Sequence, residues 1–272
     1  MTATLTRPLH QPSRIWKDAP AFSALTFMIV AALIPLLAAM TLDIRQFQGD
    51  SVWLKPVKFH LALAIYLGTL VFFARFMPDA TRASRRWRIY VAVVCTAIVA
   101  ELIWVGGAAS FGTASHFNDA TPAMAALYAI MGLAAIILTS ASLVMGISIG
   151  RNRATALPPA LHLSIALGLI LTFVLTVIVA GTMSSGTGHF IGTPLTDARL
   201  PIMGWSREVG DLRASHFFAT HALHAVPAAG WIASRTLAPR AATLAVWLAG
   251  AAYAGLVIAL FAQALMGLPV IA

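Results

Sequence analysis

Seven runs of mostly apolar residues follow one another along the chain, and turn-forming or charged residues such as Pro78-Asp79 and Arg151-Asn152-Arg153 separate them. A membrane-spanning helix needs about 20 such residues. The runs cover residues 21–42, 57–77, 88–109, 122–149, 158–182, 214–235 and 241–267. In lipid, each backbone polar group must be satisfied within its own segment. The pattern therefore predicts an all-α fold, a polytopic membrane protein with a bundle of seven transmembrane helices.

The connections between the runs are short, with one exception. Residues 1–20 are polar and predict an N-terminal tail, and residues 21–272 predict a single transmembrane domain. The long connection, residues 183–213, is rich in glycine and proline but also carries Phe190, Met203 and Trp205. Loops of that length in compact domains are usually functional or disordered. The apolar side chains favour an ordered outer loop that covers a site.

The basic residues predict the orientation of the bundle. With seven crossings, one side carries twelve of them: Arg7, Arg14, Lys17, Arg75, Arg82, Arg85, Arg86, Arg88, Arg151, Arg153, Arg235 and Arg240. The other side carries six: Arg45, Lys55, Lys58, Arg199, Arg207 and Arg213. Since cytoplasmic loops are enriched in Lys and Arg, the N-terminus is predicted to be cytoplasmic and the C-terminus periplasmic.

Composition supports the same class of protein. Of 272 residues, 60% are hydrophobic and 10% are charged, and the mean hydropathy is +0.85. A soluble domain is roughly 45–50% apolar and about 25% charged, so the composition predicts an integral membrane protein. The net charge of +9 comes without a basic cluster that could follow a phosphate backbone, which argues against nucleic-acid binding. The single Cys95 excludes an intramolecular disulfide framework.

Ionisable residues inside a span are costly and therefore informative. Glu101 is the only acid inside a predicted helix, and the sixth run contains three histidines. At 1.5 Å per residue, Glu101 and His221 lie about 12 Å and 10 Å below the outer ends of their helices. Six of the eight histidines fall in the outer half of the bundle: His60, His116, His189, His216, His221 and His224. The sequence therefore predicts a His- and Glu-lined site in the periplasmic half.

These residue types suit several kinds of chemistry. Imidazole is the commonest metal ligand, so a metal site of zinc, copper or iron is predicted from Glu101, His116, His189, His221 and His224. Haem takes axial histidines, for which the candidates are His60, His216, His221 and His224. Glu101 and His221 are the candidate catalytic groups. The charged and aromatic residues predicted at the entrance are Lys58, Trp205, Asp211 and Arg213.

Three classes of function stay open from these residues. The first is a redox or hydrolytic enzyme that uses a metal ion or haem b, with a quinone or lipid-like substrate. The second is a non-enzymatic accessory or assembly subunit that binds other membrane subunits. The third is a transporter of protons or small molecules. Alternatively, the buried polar residues form structural hydrogen bonds between helices, and Lys55, His60 and His189 reach the interface by snorkelling.

Three short strings carry a resemblance to known sequences. They are residues 53–59 (WLKPVKF), residues 115–118 (SHFN), and Gly204-Trp205-Ser206 with Gly210-Asp211-Leu212-Arg213. The strings resemble an uncharacterised group of bacterial multi-pass membrane proteins. The resemblance implies a place in the bacterial inner membrane and carries no activity. All three strings fall on the predicted outer side.

Overall fold

The computed structural model describes residues 14–118, 120–186 and 188–272, and within these ranges the chain is mostly helical. The helices are α1 (Ile15–Asp18), α2 (Pro20–Leu42), α3 (Leu54–Ala74), α4 (Asp79–Ala83), α5 (Arg85–Ser110), α6 (Pro122–Arg151), α7 (Pro159–Ser184), α8 (Leu212–Thr220), α9 (Ala222–Thr236) and α10 (Pro239–Leu265). The strands are β1 (Gln46–Phe47), β2 (Asp50–Ser51), β3 (Phe190–Ile191) and β4 (Gly210–Asp211), with β1 antiparallel to β2 and β3 antiparallel to β4.

Six of these helices are long and apolar enough to cross a membrane, namely α2, α3, α5, α6, α7 and α10. Their outer surfaces are largely apolar, and Ile34 of α2, for example, is 75% exposed. Exposing so much apolar surface to water would be unfavourable, so the surroundings that suit these helices are lipid. The chain is therefore a multi-pass membrane protein, as its composition predicted.

Prolines mark where several of these helices begin. Pro20, Pro159 and Pro239 each occupy the first turn of a helix, where the missing N–H removes no helical hydrogen bond. The six long helices correspond to six of the seven predicted runs, within a few residues at each end. Of the predicted N-terminal tail, residues 1–13, which include Arg7, lie outside the described residues.

The remaining run, residues 214–235, was predicted as one helix, and this prediction is wrong. The structure has two helices, α8 and α9, with a break at His221. At the break the Phe218 carbonyl accepts hydrogen bonds from the His221 N–H and from the Tyr253 hydroxyl. Pro227, which has no N–H for the Leu223 carbonyl, lies further on, inside α9. The glycine of the neighbouring helix α7 allows close packing here: a Cβ at Gly168 would lie 2.8 Å from Pro227 Cδ and 2.9 Å from the Ala222 carbonyl oxygen.

The chain divides into two compact units, one up to Ala141 and the other from Ser142 to Ala272. In the first unit α2 packs on α3 and α5, and the Tyr66 hydroxyl donates to the carbonyls of Leu138 and Thr139 in α6. In the second unit α7 packs against α8, α9 and α10. One apolar cluster of this second core consists of Leu175, Val179, Ala219 and Val257.

Candidate functional site

Glu101 lies on the buried side of α5. Its neighbours on this side recur at helical spacing and are otherwise apolar: Val91, Val94, Ala97, Ile98, Val105, Ala108 and Ala109. Only 3% of Glu101 is exposed. The carboxyl group therefore faces the protein interior rather than lipid, which marks it as a functional candidate.

The end of α5 turns the chain back toward this acid. Gly112 has φ +64°, its N–H donates to the Ala109 carbonyl, and the Thr113 N–H donates to the Ala108 carbonyl. These two bonds are those of a Schellman cap, in which glycine adopts the left-handed conformation at low cost. The Trp104 indole N–H then donates to the Ser115 carbonyl at 2.6 Å. This bond ties the returning segment to α5, next to His116.

The structure brings His116 between Glu101 and a lysine. His116 Nε2 lies 3.4 Å from Glu101 Oε1, and His116 Nδ1 lies 3.2 Å from Lys55 Nζ and 3.1 Å from Ser115 Oγ. A charged ammonium can only donate. These partners assign the lone pair to Nδ1 and the proton to Nε2, the nitrogen that contacts the carboxylate at 3.4 Å. Lys55, His116 and Glu101, here named the relay, thus form a continuous polar chain.

Exposure to solvent falls along the relay. Lys55 is exposed, the His116 side chain is 25% exposed, and the Glu101 side chain is 4% exposed. Glu101 Oε2 is buried and has no hydrogen-bond partner within the described residues. A buried polar atom without a partner costs free energy. The relay therefore leads from the surface to an acid whose second oxygen is left unsatisfied.

Aromatic rings surround the imidazole. The centroids of Phe59 and Tyr128 lie 5.6 Å and 5.9 Å from that of His116, and Lys55 Nζ lies 5.9 Å from the Phe59 ring. Three helices of the first unit, α3, α5 and α6, thus contribute to the walls around His116. The rings limit its rotation and keep it between its two partners.

The sequence missed Lys55 and favoured Lys58. Lys58 is exposed and makes no hydrogen bond or ion pair in the described part of the chain. One signal for Lys55 was present in the sequence: Lys55 and Phe59 are four residues apart and therefore share a helix face. His60 is buried, and its Nδ1–H donates to the Pro56 carbonyl at 2.8 Å. That bond leaves His60 Nε2 as an acceptor.

Three of the histidines of the second unit lie at or near the helix break. His221 Nδ1–H donates to the Phe217 carbonyl at 2.9 Å, and the His221 ring stacks on the Phe217 ring with centroids 4.0 Å apart. The His224 ring lies 5.2 Å from that of His221, and His216 is within electrostatic reach of His221. His221 therefore satisfies a carbonyl next to the break and presents Nε2 as an acceptor.

Asp211 is not at an entrance, contrary to the prediction. It is completely buried, and its two oxygens accept hydrogen bonds from the Ser206 N–H and from the backbone N–H, Nε and Nη2 of Arg213. Arg213 Nη2 also donates to the Gly204 carbonyl at 2.7 Å. The pair is thus used to hold the end of the long loop onto α8, of which Asp211 is the N-cap.

Trp205 also lies inside the protein rather than at an entrance. Only 8% of it is exposed, and its ring contacts those of Phe217 and Phe218. His189 lies at the other end of the loop, where its carbonyl accepts the Leu212 N–H and its ring contacts that of Phe190. The long connection is therefore held to the helices of the second unit by buried groups at one end and by half-buried residues at the other.

No metal-ligand group is assembled in the part of the chain that the structure describes: no three His, Cys, Asp or Glu side chains there are placed to hold a metal ion. Of the five predicted metal ligands, Glu101 and His116 lie side by side.

Comparison with known proteins does not assign the chain to a family. No family model matches the sequence, and neither a curated protein nor a solved structure is significantly similar to it.

Proposed function

We propose that this chain is a membrane protein that carries protons to and from Glu101, with Lys55 and His116 as the path from the outer surface. One observation carries the proposal: the relay runs from an exposed ammonium through a partly buried imidazole to a buried carboxyl group. Of the open classes of function, a proton pathway or proton-coupled transporter needs such an arrangement most directly.

Each step of the path conserves charge and protons. Lys55 gives a proton to His116 Nδ1, and His116 releases its Nε2 proton to Glu101 Oε1. The neutral Lys55 amine then takes a proton from water, and His116 is left as the neutral Nδ1–H tautomer. The net result is one proton moved from outer water to Glu101. His116 suits this role because imidazole accepts at one nitrogen while it donates at the other.

The proposal includes the topology. We infer seven spans, with α8 and α9 crossing together as the sixth, a cytoplasmic N-terminus and a periplasmic C-terminus in the bacterial inner membrane. The distribution of basic residues supports this orientation. It is tested with Cys95→Ser as background: a cysteine at residue 190 should react with an impermeant thiol reagent from outside, and one at residue 152 should not. The reverse pattern would contradict the orientation.

The experiment for the relay is proton flux into proteoliposomes, followed with a trapped pH-sensitive dye under an imposed membrane potential. Glu101→Gln keeps the size of the side chain but cannot take up the proton, so flux should fall by about a hundredfold. His116→Ala and Lys55→Gln should reduce flux as well, since each interrupts the path.

Lys58→Gln is the matched control, because it removes a lysine from the same helix without touching the relay. Its flux should equal that of the unchanged protein. The proposal is overturned if Glu101→Gln conducts normally, or if Lys58→Gln and Lys55→Gln lose flux equally. Absence of flux in every form, including the unchanged protein, would favour the accessory-subunit alternative.

A cofactor is the second candidate function, and one observation supports it. In both His60 and His221 the Nδ1–H is bonded to the carbonyl four residues earlier in the chain. This is the arrangement that orients a histidine whose Nε2 ligates a metal or haem iron. The visible spectrum and metal content of the purified protein test it. A Soret band that is lost in His221→Ala would support haem, and a colourless, metal-free protein would eliminate this candidate.

A further inference from the structure

Three arginines stand in the first turn of α5, at the end of the helix opposite to the relay. Arg85, Arg86 and Arg88 are all exposed. Positive charges at a helix N-terminus are disfavoured by the helix dipole. The three arginines therefore do not stabilise α5 itself. An anion bound to their exposed guanidinium groups would offset the unfavourable interaction with the helix dipole.

The protein itself does not supply that negative charge. The nearby acids, Asp18 and Asp79, both pair with Arg82. Within the described residues no salt bridge reaches Arg85, Arg86 or Arg88. Within the described residues, the positive charge of this arginine cluster is therefore not balanced by an ion pair.

An exposed apolar stripe continues from the arginines along the helix. At 100° per residue, Arg85, Ile89, Val93 and Ile103 fall on the same side of α5. The three apolar residues of this side are exposed, Ile103 by 69%. Glu101 and the buried residues lie on the opposite side. The arginines therefore cap a stripe that is suited to acyl chains.

We propose that Arg85 and Arg88, with Arg86, bind the phosphate group of an anionic phospholipid, whose acyl chains lie along the exposed stripe of α5. Guanidinium groups match phosphate oxygens in geometry and charge. A lipid is the one ligand that places an anionic group directly above an apolar chain of this length. The site lies on the lipid-facing side of the helix and is independent of the relay.

The test is the binding of phosphatidylglycerol to the full chain in phosphatidylcholine-containing micelles, measured by native mass spectrometry. An arginine near an anionic surface contributes roughly a fivefold gain in binding. The double variant Arg85→Gln/Arg88→Gln should therefore bind phosphatidylglycerol about thirty-fold more weakly. Its helical circular dichroism should be unchanged, because both side chains are exposed. In a separate variant, Val93→Ser, binding should weaken while the arginines stay intact.

The matched control is Arg151→Gln/Arg153→Gln, which removes the same charge from two exposed arginines outside α5. This control should change binding by less than about twofold. Equal losses in the two double variants would overturn the proposal in favour of general surface charge. The proposal would also be overturned if free glycerol phosphate competed as effectively as the lipid, or if Val93→Ser had no effect. Either result would mean that the exposed apolar stripe does not contribute to binding.

Discussion

Two buried carboxylates, Asp211 and Glu101, differ in how fully their oxygens are hydrogen-bonded. Asp211 is completely buried and its oxygens accept five hydrogen bonds, all from Ser206 and Arg213. Glu101 is almost as buried, but it has one neighbour at 3.4 Å and one oxygen without a partner. A fully satisfied carboxylate holds the groups around it in place. A carboxylate with an unsatisfied oxygen keeps that oxygen available for a further hydrogen-bond donor.

The origin of the partners differs as well. Asp211 is satisfied by residues a few positions away, which fold around it as a local unit. Glu101 meets His116 only because the cap at Gly112 turns the chain back, and His116 meets Lys55 from another helix. A local network is hard to change without unfolding it, whereas partners from separate helices can move apart. The comparison therefore separates an acid held in a local network from the acid of the proposed relay.

The largest expected effect is that of Asp211→Ala. This substitution leaves Arg213 without its partner in a largely buried network, and breaking such a pair costs about 3–5 kcal/mol. The free energy of unfolding in mixed micelles should fall by that amount. Asp197→Ala is the control: Asp197 is 95% exposed and also pairs with an arginine, and exposed pairs contribute less than about 1 kcal/mol. Similar losses in the two variants would contradict a structural role for Asp211.

The close packing of the second unit should make Gly168→Ala the next most harmful change. The new methyl group would lie 2.8 Å from Pro227 Cδ and 2.9 Å from the Ala222 carbonyl oxygen, so overpacking should cost about 1–3 kcal/mol. Gly181→Ala is the control in the same helix, since nothing lies within 4 Å of its added Cβ. That change should be neutral or stabilising. If Gly168→Ala is equally harmless, α7 and α9 are not tightly packed at the break.

Glu101→Gln should behave unlike Asp211→Ala. It removes a buried charge that has few compensating hydrogen bonds, so the free energy of unfolding should stay the same or rise by up to about 1 kcal/mol. Thermal unfolding of the purified protein at neutral pH measures this change. A loss above about 2 kcal/mol would show that Glu101, like Asp211, holds the fold together, and the contrast between the two acids would disappear.

The smallest effect concerns Glu208, a half-buried acid of the long loop. Hydrogen bonds from Thr196 and from the Leu195 N–H hold the pKa of this carboxyl below its usual value of 4.5. Because the pKa is lowered, these bonds contribute fully above pH 4.5 and are lost as the pH falls through the folded-state pKa.

Hydrogen exchange of the Leu195 and Thr196 amides, corrected for intrinsic rates, should therefore accelerate only in acid. In Glu208→Gln the exchange should be fast at every pH and should show no such step. Protection of Leu195 and Thr196 that does not change with pH in the unchanged protein would mean that the carboxylate does not order this part of the loop.

Hydropathy alone predicted most of the fold. Six predicted runs correspond to six long helices, because lipid requires long apolar segments and turn residues interrupt them. The same reasoning failed for residues 214–235, which form two helices with a break at His221. Composition indicates whether a segment suits lipid, but a helix break depends on which groups bond the backbone carbonyls there, such as the Tyr253 hydroxyl on the Phe218 carbonyl.

The candidate site was only half predictable. Glu101 stood out because an acid in an apolar run is rare, and His116 stood out as a histidine in a short outer connection. Lys55 was interpreted only as a snorkelling residue, since the ammonium group of a lysine at the end of a helix usually extends into water. Trp205 and Asp211 were predicted at an entrance and are buried, because the sequence does not show whether a loop residue is exposed or folded inward.

The sequence by itself determined that the chain crosses a membrane several times and that one acid lies among apolar residues, since both follow from local composition. Only the tertiary structure decided which groups meet. The cap at Gly112 brings His116 to Glu101, the packing of α3 adds Lys55, and the loop folds Asp211 onto Arg213. Contacts of this kind depend on how the backbone turns between elements. That is why the sequence did not show that Asp211, in a polar loop, is as buried as Glu101, or that the two acids have opposite surroundings.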